Sequence, residues 1–325
     1  MTEQPNGQQC EIAWFSALCD DDYEFLGVPD PYLQSSWEHC RNIVMRAEEG
    51  GFDNILLPSG YQLGVDTTIF AAAVATQVKR IKLLWATRMG EDWPPQLARR
   101  IATLDRILGP NASGTGGRLN VNIISSDMPG ETIESGPRYA RGTEIMKIVR
   151  TLLNGKHLDF DGEFYKLKLD PPRITTLSGK CPPFYFGGLS HEARECAAEA
   201  ADVYLMWPDT MDKVRENIAD LKARAANYGR TLKFGYRVHV IVRETEDEAR
   251  QYADRLLSKL DDEAGRAIRE KSLDAKNYGV QRQQELRGAA DGDGFVEENL
   301  WTGIGRARSG CGAAIVGTPD QVLAK

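Results

Sequence analysis

The chain has 325 residues, of which 42% are hydrophobic and 27% charged, a balance typical of a folded globular protein. The formal net charge of −7 at pH 7 argues against a general nucleic-acid binder, because such a protein needs a basic surface. No apolar stretch approaches the roughly 18 residues of a membrane span, and the polar residues 1–9 do not form a signal peptide. We therefore expect a cytoplasmic protein that binds neither nucleic acid nor membranes.

Cysteine and histidine spacing gives no sign of a metal site. The six cysteines contain no CxxC pair, and the four histidines form neither an HxH nor an HExxH pattern. In a long chain, scattered cysteines of this kind are usually reduced and serve as small core residues. The sequence therefore predicts reduced thiols and no bound metal.

In the first half of the chain, short apolar runs alternate with helical segments. The spacing of Ser35 and Glu38 matches a capping box that opens a helix, and Gly50-Gly51 ends it. Asp66 caps an alanine-rich helix, and Pro94-Pro95 opens another. The predicted strands are 11–17, 52–58, 81–88 and 118–125, and the predicted helices are 35–49, 67–76 and 94–107.

The second half continues this alternation. Residues 154–169 alternate around Asp161-Gly162 and predict a β-hairpin, whereas residues 261–298 are charged and have no clear period. The predicted strands are 183–188, 203–207, 232–243 and 313–316, and the predicted helices are 137–153, 191–201, 211–228 and 245–260.

The alternation of strands and helices indicates parallel βαβ units, and so an α/β fold. Eight short apolar runs favour a (βα)8 TIM barrel over an open doubly wound sheet. A dinucleotide-binding sheet would carry GxGxxG after its first strand, where this chain has the acidic run Asp20-Asp21-Asp22 instead. We expect a single domain over residues 1–325, with a mobile insertion at about 261–312.

Polar residues at the carboxyl ends of barrel strands are candidates for the active site, because barrel enzymes place their chemistry there. Gly187-Gly188-Leu189-Ser190 ends one strand directly before a helix, so free N–H groups and the helix dipole would attract a phosphate. An ordinary helix cap at Ser190 explains the same residues equally well. Arg88, Asn122 and Ser125 also end predicted strands.

Arg237 and His239 alternate on the predicted strand 232–243, so both side chains should point to one face. Burying both is costly unless they bind an anion, although a strand end would place them in solvent or beside a carboxylate. Trp207 follows another strand and would at least cover the barrel mouth. Arg308 lies in the glycine-rich stretch 303–312, which would either fold over an anion site or form a solvated loop.

Several segments, taken in order, resemble one family. They include PRYARGTEIMKIVRTLL, PPFYFGGLS, ADVYLMW, KFGYRVHVIVRETEDEA, NLWTGIGRARSGCG and AAIVGTPDQV. In series they resemble the bacterial-luciferase-like flavin monooxygenases, over nearly the whole chain from Phe52 onward. FGYRVHVIVRETEDEA together with NLWTGIG is similar to the alkanesulfonate monooxygenase branch.

The resemblance implies a two-component enzyme. A separate NAD(P)H-dependent flavin reductase would supply reduced FMN, and the luciferase-like barrel would use it with O2 to cleave the C–S bond of an organosulfonate. The products would be sulfite and an aldehyde. The family also implies a homodimer or a homotetramer.

The resemblance further implies roles for individual residues. The positions that the family uses for FMN fall on Asn122, Arg138, Tyr139, Gly188, Leu189 and Ser190, with the phosphate near Ser190. The positions that the sulfonate branch uses for substrate binding and acid/base work fall on Trp207, Arg237, His239 and Arg308. An arginine fork suits the oxygens of a sulfonate, and histidine transfers protons near neutral pH.

Two features depart from the sulfonate branch. The branch carries a cysteine after its second strand, whereas this chain has none between Gly60 and Asp66. This departure favours a bulkier, hydroxylated organosulfonate such as sulfoquinovose over a simple alkyl sulfonate. The final strand and helix of the family have no counterpart after Thr318, which caps a helix with Pro319 at its first position, so we expect the natural sequence to continue.

Two other functions stay open from the sequence. A deazaflavin-dependent dehydrogenase of the same superfamily would not consume O2, and the anion-binding set Arg237, His239 and Arg308 disfavours it. A non-catalytic, ligand-binding or partner subunit of the luciferase-like type is the second alternative; the missing final strand favours it if the 325 residues are the native product.

Overall fold

A computed structural model describes residues 2–3, 9–15, 18, 24–30, 32, 35–61, 63–125, 128–131, 133–270, 278–307 and 312–325. The chain divides into two compact units. The first unit comprises residues 1–21, 32–186 and 200–202, and the second comprises residues 22–31, 187–199 and 203–325.

The first unit is built from parallel strands connected by helices. Its elements are β1 (Thr2–Glu3), β2 (Gln9–Cys10), β3 (Ala13–Phe15), α1 (Trp37–Glu49), β4 (Asn54–Leu57), α2 (Thr67–Ala75), β5 (Lys82–Arg88), α3 (Pro94–Leu108), β6 (Leu119–Ile124), α4 (Ser135–Leu153), β7 (Leu158–Asp161), β8 (Lys166–Leu169) and β9 (Phe184–Phe186). Five strands form a parallel sheet in the order β9-β6-β5-β4-β3, and β7 and β8 form the predicted antiparallel hairpin.

The register of this sheet separates an apolar face from a mixed face that carries the polar side chains and is here called the polar face. On the polar face, Asn54 lies beside Lys82, and Asn122 lies beside Tyr185. Because successive side chains of a strand alternate, the residues between them point the other way. On that second face, all side chains of β4, β5, β6 and β9 are buried; they are Ile55, Leu57, Leu83, Trp85, Thr87, Leu119, Val121, Ile123, Phe184 and Phe186.

Helix α4 packs on the apolar face of the sheet. The ring of Tyr139 meets that of Phe186 edge-on, with 6.1 Å between the ring centroids. Further along α4, the guanidinium carbon of Arg150 lies 4.7 Å from the ring centroid of Phe184. The polar face therefore points away from α4.

Side-chain caps fix where the helices of the first unit begin. Asp66 accepts a hydrogen bond from the N–H of Ile69 at 2.8 Å, as predicted for α2. The predicted start of α1 is wrong by one residue. Ser36 caps it instead of Ser35, because the hydroxyl of Ser36 lies three residues before the N–H of His39, which it accepts at 3.1 Å.

The second unit combines helices with two small groups of strands. Its elements are α5 (His191–Ala200), β10 (Val203–Met206), α6 (Met211–Asn227), β11 (Lys233–Tyr236), β12 (His239–Val242), α7 (Glu246–Leu257), α8 (Asp262–Glu270), α9 (Tyr278–Gly288), β13 (Phe295–Glu297), β14 (Leu300–Trp301), a 3-10 helix (Gly303–Arg306), β15 (Ala314–Gly317) and α10 (Pro319–Ala324). Strands β10 and β11 pair in parallel, and four others form a sheet in the order β12-β15-β14-β13. None of the helices in the described ranges is long and apolar enough to cross a membrane.

The prediction of one strand over residues 232–243 is wrong. The segment forms two strands, β11 and β12, with a break at Arg237 and Val238. The physical reason is that the two halves have different partners, since β11 pairs with β10 whereas β12 pairs in parallel with β15. The predicted helix starts at Thr245 and Thr318 are both present, each with a complete capping box.

Glu48, at the end of α1, is a buried carboxylate that holds the backbone leading into β5. Its Oε1 accepts hydrogen bonds from the N–H groups of Lys79 at 2.8 Å, of Arg80, and of Ile81 at 3.1 Å. Burial by itself would raise the pKa of Glu48, but these three backbone donors bring it below the ordinary value of 4.5. The ionised carboxylate therefore stabilises the folded state.

The Glu48→Ala variant should lose about 2–4 kcal/mol in the free energy of unfolding, because three backbone N–H groups lose a buried acceptor. Chemical denaturation measures this loss, and the exposed neighbour provides a control, Glu49→Ala, expected to stay within about 0.5 kcal/mol of wild type. A lowered pKa means that the contribution is complete above pH 4.5 and is lost as pH falls through the folded value. If the difference in the free energy of unfolding between wild type and Glu48→Ala does not decrease in acid, this explanation is contradicted.

Candidate active site

The loop before α5 ends in a helix N-terminus with free backbone donors. The hydroxyl of Ser190 accepts a hydrogen bond from the N–H of Ala193 at 3.2 Å, so the helix cap weighed as the alternative at this position is present. Within the part of the chain that the structure describes, the N–H groups of Leu189, Ser190 and His191 donate to no other residue. The cap uses the Ser190 hydroxyl and leaves these N–H groups available, so capping and anion binding are compatible at this helix.

Side chains of the second unit fix the orientation of this loop. The Tyr204 hydroxyl donates to the carbonyl of Gly188, and Nε of Arg194 donates to the carbonyl of Leu189 at 3.0 Å. In a trans peptide the N–H points opposite to the carbonyl, so the N–H groups of Leu189 and Ser190 point away from these anchors. A Cβ at Gly187 would lie 2.8 Å from the carbonyl oxygen of Leu205, which requires glycine there.

Trp207 and Arg237 lie side by side at the carboxyl ends of β10 and β11. Met206 pairs with Tyr236 as the last residue pair of the two strands, and the N–H of Arg237 then donates to the carbonyl of Met206 at 2.9 Å. Both side chains are partly exposed. The structure thus brings together two of the residues predicted to bind substrate.

The prediction that Arg237 and His239 lie on one face of one strand is wrong. The strand breaks between them, and His239 begins β12 opposite Ala314 of β15. Neither residue is buried, so the desolvation cost that motivated the pairing is smaller than predicted. The alternative of a strand-end position is the one that the structure has.

The predicted flavin-contacting residues of the first unit lie in two layers. Asn122 is partly exposed on the polar face of the sheet, near the carboxyl end of β6. Arg138 and Tyr139 lie in the first turns of α4, where the guanidinium carbon of Arg138 is 5.5 Å from the Tyr139 ring centroid. Tyr139 packs on the apolar face, so the structure does not place its ring beside the Asn122 side chain.

Two of the strand-end candidates from the sequence, Ser125 and Arg88, are buried. Ser125 directly follows β6, and its buried Oγ has no hydrogen-bond partner within the described ranges; a Cβ at Gly142 would lie 2.9 Å from it. Arg88 ends β5 at 5% exposure, with Nε 3.5 Å from Oε1 of Glu91. The sequence carried a signal for both, namely a polar residue that ends an apolar strand.

Burial raises the pKa of two titratable side chains of the first unit, Glu91 and Tyr185. Desolvation raises the pKa of Glu91, and the positive charge of Arg88 offsets part of that rise. On the polar face, burial also raises the pKa of Tyr185, with smaller contributions from the negative charges of Glu11 and Asp202. Tyr185 therefore stays protonated at neutral pH.

One predicted site residue, Arg308, lies outside the described residues, so its role stays a prediction. Within the described residues, no group of three or more histidine, cysteine, aspartate or glutamate side chains could hold a metal ion.

The family comparison defines the class of the protein. Residues 25–325 match the model of the luciferase-like monooxygenases, and the chain belongs to this family. The predicted family and the predicted enzyme class, a flavin-type monooxygenase, are therefore confirmed.

Two curated relatives are close in sequence. Over 318 residues the chain is 92% identical to a sulfoquinovose monooxygenase of Novosphingobium aromaticivorans, which covers 98% of this chain and 88% of the relative. Over 316 residues it is 52% identical to a sulfoquinovose monooxygenase of Agrobacterium fabrum, which covers 96% of this chain and 80% of that relative.

The comparison with solved structures supports the fold. The crystal structure of DmoA from Hyphomicrobium sulfonivorans matches with a TM-score of 0.76 at 17% identity, over 98% of this chain and 80% of DmoA. At this identity the likeness shows the fold, and together with the family match it confirms the predicted α/β, luciferase-like TIM barrel.

Proposed function

We propose that this chain is a two-component, flavin-dependent monooxygenase that cleaves the C–S bond of sulfoquinovose. The observation that carries the proposal is the 92% identity, over 98% of the chain, to the sulfoquinovose monooxygenase of Novosphingobium aromaticivorans. The sequence-based expectation of a bulky, hydroxylated organosulfonate points to the same substrate class. The strand-end pair Trp207 and Arg237 supports it, because Arg237 brings a permanent cation to an anionic substrate.

The loop before α5 fits the phosphate of FMN. Three N–H groups with no other partner in the described chain, at Leu189, Ser190 and His191, combine with the helix dipole to favour an anion. Gly188, Leu189 and Ser190 would therefore hold the phosphate. The roles of Asn122, Arg138 and Tyr139 toward FMN stay predictions of the family resemblance. Reduced FMN, when bound, supplies the two electrons that activate O2.

The proposed reaction uses both oxygen atoms of O2. One oxygen atom of O2 becomes the aldehyde oxygen on the carbon that carried the sulfonate, and the other leaves as water. The C–S bond breaks and sulfur leaves as sulfite. Of the four electrons that reduce O2, two come from the reduced flavin and two from the substrate. Arg237 and Arg308 would bind the sulfonate oxygens. The His239 ring would accept the proton that leaves the reacting carbon. Trp207 would cover the substrate and exclude water.

The proposal requires a partner, because reduced FMN must be supplied continuously. We propose a separate NAD(P)H-dependent flavin reductase for this role. A homodimer or a homotetramer stays the expected assembly.

Sulfite release tests the function. The chain should release sulfite from sulfoquinovose in the presence of FMN, NADH, O2 and a flavin reductase. For a simple alkyl sulfonate we expect kcat/KM to be lower by about tenfold or more, because the altered loop after β4 favours a bulkier substrate. Absence of sulfite from every sulfonate, with reduced FMN bound, would overturn the proposal. Reduction of a deazaflavin without O2 uptake would support the dehydrogenase instead.

Arg237→Ala should abolish measurable turnover of sulfoquinovose, because it removes a cation that the sulfonate needs in both ground and transition states. Reduced-FMN affinity, measured by anaerobic titration, should stay within about threefold of wild type. Arg215→Ala, which removes an exposed arginine of α6 paired with Asp212, is the matched control and should leave turnover unchanged. Equal loss of FMN binding would mean that Arg237 serves the cofactor.

Ser190→Ala should weaken reduced-FMN binding by about tenfold while leaving reduced-riboflavin binding unchanged, because only FMN carries the phosphate. Ser36→Ala removes a similar cap from α1, since Ser36 accepts an N–H at 3.1 Å and Ser190 at 3.2 Å. This control separates the loss of a helix cap from the loss of a phosphate contact. A fall of the same size for both flavins would refute the phosphate assignment.

A further inference from the structure

Helix α9 lies within the charged segment that the sequence left without a function, yet two of its side chains bind the turn that follows β10. This turn, residues 207–210, begins with Trp207 and contains two buried residues, Pro208 and Asp209. Asp209 is 4% exposed. A carboxylate buried to this degree requires a partner, and α9 provides it.

Arg282 forms a two-point ion pair with Asp209. Its Nε donates to Oδ2 at 2.8 Å and its Nη2 donates to Oδ1 at 2.8 Å. The same Oδ1 accepts the N–H of Thr210 at 2.8 Å. A bidentate pair of this kind fixes direction as well as distance, so the turn is held in one orientation relative to α9.

Gln283, the next residue of α9, joins the same turn to another backbone segment. It is 4% exposed, and its Nε2 donates to the carbonyl of Pro208 at 2.8 Å. Its Oε1 accepts the N–H of Gly312 at 3.2 Å, just before β15. Both ends of one buried amide thus bind backbone groups. Removing the amide would leave a buried carbonyl and a buried N–H without this hydrogen bond, which destabilises the fold.

The far end of the turn is held from a third element. The N–H of Met211, the first residue of α6, donates to Oε1 of Glu297 in β13 at 3.0 Å. The near end is held by the bond from the N–H of Arg237 to the carbonyl of Met206. Between these anchors, residues 207–210 belong to neither β10 nor α6. Helix α9 binds Pro208 and Asp209 in this stretch.

We propose that Arg282 and Gln283 are positioning residues that set the side chain of Trp207 for substrate binding by fixing the turn 207–210. The inference deepens the proposed function and rests on it for the role of Trp207. Neither residue touches the substrate in this account. Their effect on turnover passes through the backbone of Pro208 and Asp209.

A double-mutant cycle with Trp207 tests the inference. Gln283→Met keeps the side-chain length and removes both hydrogen bonds, so kcat/KM for sulfoquinovose should fall by about tenfold, mainly through KM. In a Trp207→Phe background the same change should cost less than about twofold, because the residue being positioned is already altered. The matched control is Gln284→Met, which changes the exposed glutamine beside it on α9 and should have no effect in either background.

The same double-mutant cycle can be followed without substrate or cofactor. The measurement is tryptophan fluorescence emission and its quenching by acrylamide. Gln283→Met should change the emission of the chain that keeps Trp207. In the Trp207→Phe chain, which keeps the five other tryptophans, the same substitution should leave the emission unchanged. If Gln283→Met does not fold, Arg282→Lys carries the test, since it keeps the charge and loses the two-point geometry.

The outcomes separate the inference from the proposed function. An equal loss in both backgrounds, or no difference between Gln283→Met and Gln284→Met, would show a purely structural role and overturn the inference. A Trp207→Phe variant with wild-type kcat/KM would also overturn it. Absence of sulfite from the wild type, combined with the expected emission change, would overturn the proposed function and support the positioning of Trp207.

Discussion

Parallel strand pairing is the physical constraint on which the candidate site depends. In a parallel pair, residues that share a register lie side by side on one face, and the carboxyl ends of both strands reach the same edge. The hydrogen bond from the Arg237 N–H to the Met206 carbonyl extends this pairing one residue beyond β10 and β11. Trp207 and Arg237 are neighbours for that reason, although 30 residues separate them in sequence. In the first unit the same rule places Asn122 beside Tyr185 and away from α4.

Buried and half-buried side chains that bind backbone groups hold the segments that connect the strands and helices. Glu48 binds three N–H groups before β5, and Arg194 binds the Leu189 carbonyl before α5. Gln283 binds one carbonyl and one N–H on two different segments. Each contact satisfies a polar backbone group that regular secondary structure leaves open, and each also fixes the direction of a loop. Flavin enzymes of this type need such rigid surroundings, because the cofactor supplies the reactivity and the protein supplies orientation and exclusion of water.

Local patterns predicted most of the elements because their causes are local. The cap at Asp66, the capping boxes at Thr245 and Thr318, and the hairpin between β7 and β8 depend on residues a few positions apart. The strand over residues 232–243 failed for the opposite reason. An apolar run carries no information about a change of partner, and β12 pairs with β15, which lies more than 70 residues further along the chain. The error at Ser35 was smaller, since two adjacent serines present the same local signal and only the backbone geometry selects Ser36.

By itself, the sequence determined the α/β class, the family and the set of strand-end residues that carry the proposed chemistry, because periodicity and motifs are properties of neighbouring residues. The tertiary structure decided which of those residues meet. It joined Trp207 to Arg237 through strand register, separated Arg237 from His239 by a change of partner, and tied the turn after β10 to Arg282 and Gln283 of a segment without periodic pattern. These relations depend on contacts between residues far apart in the chain, and their energies come from buried hydrogen bonds and ion pairs that exist only once the backbone is folded.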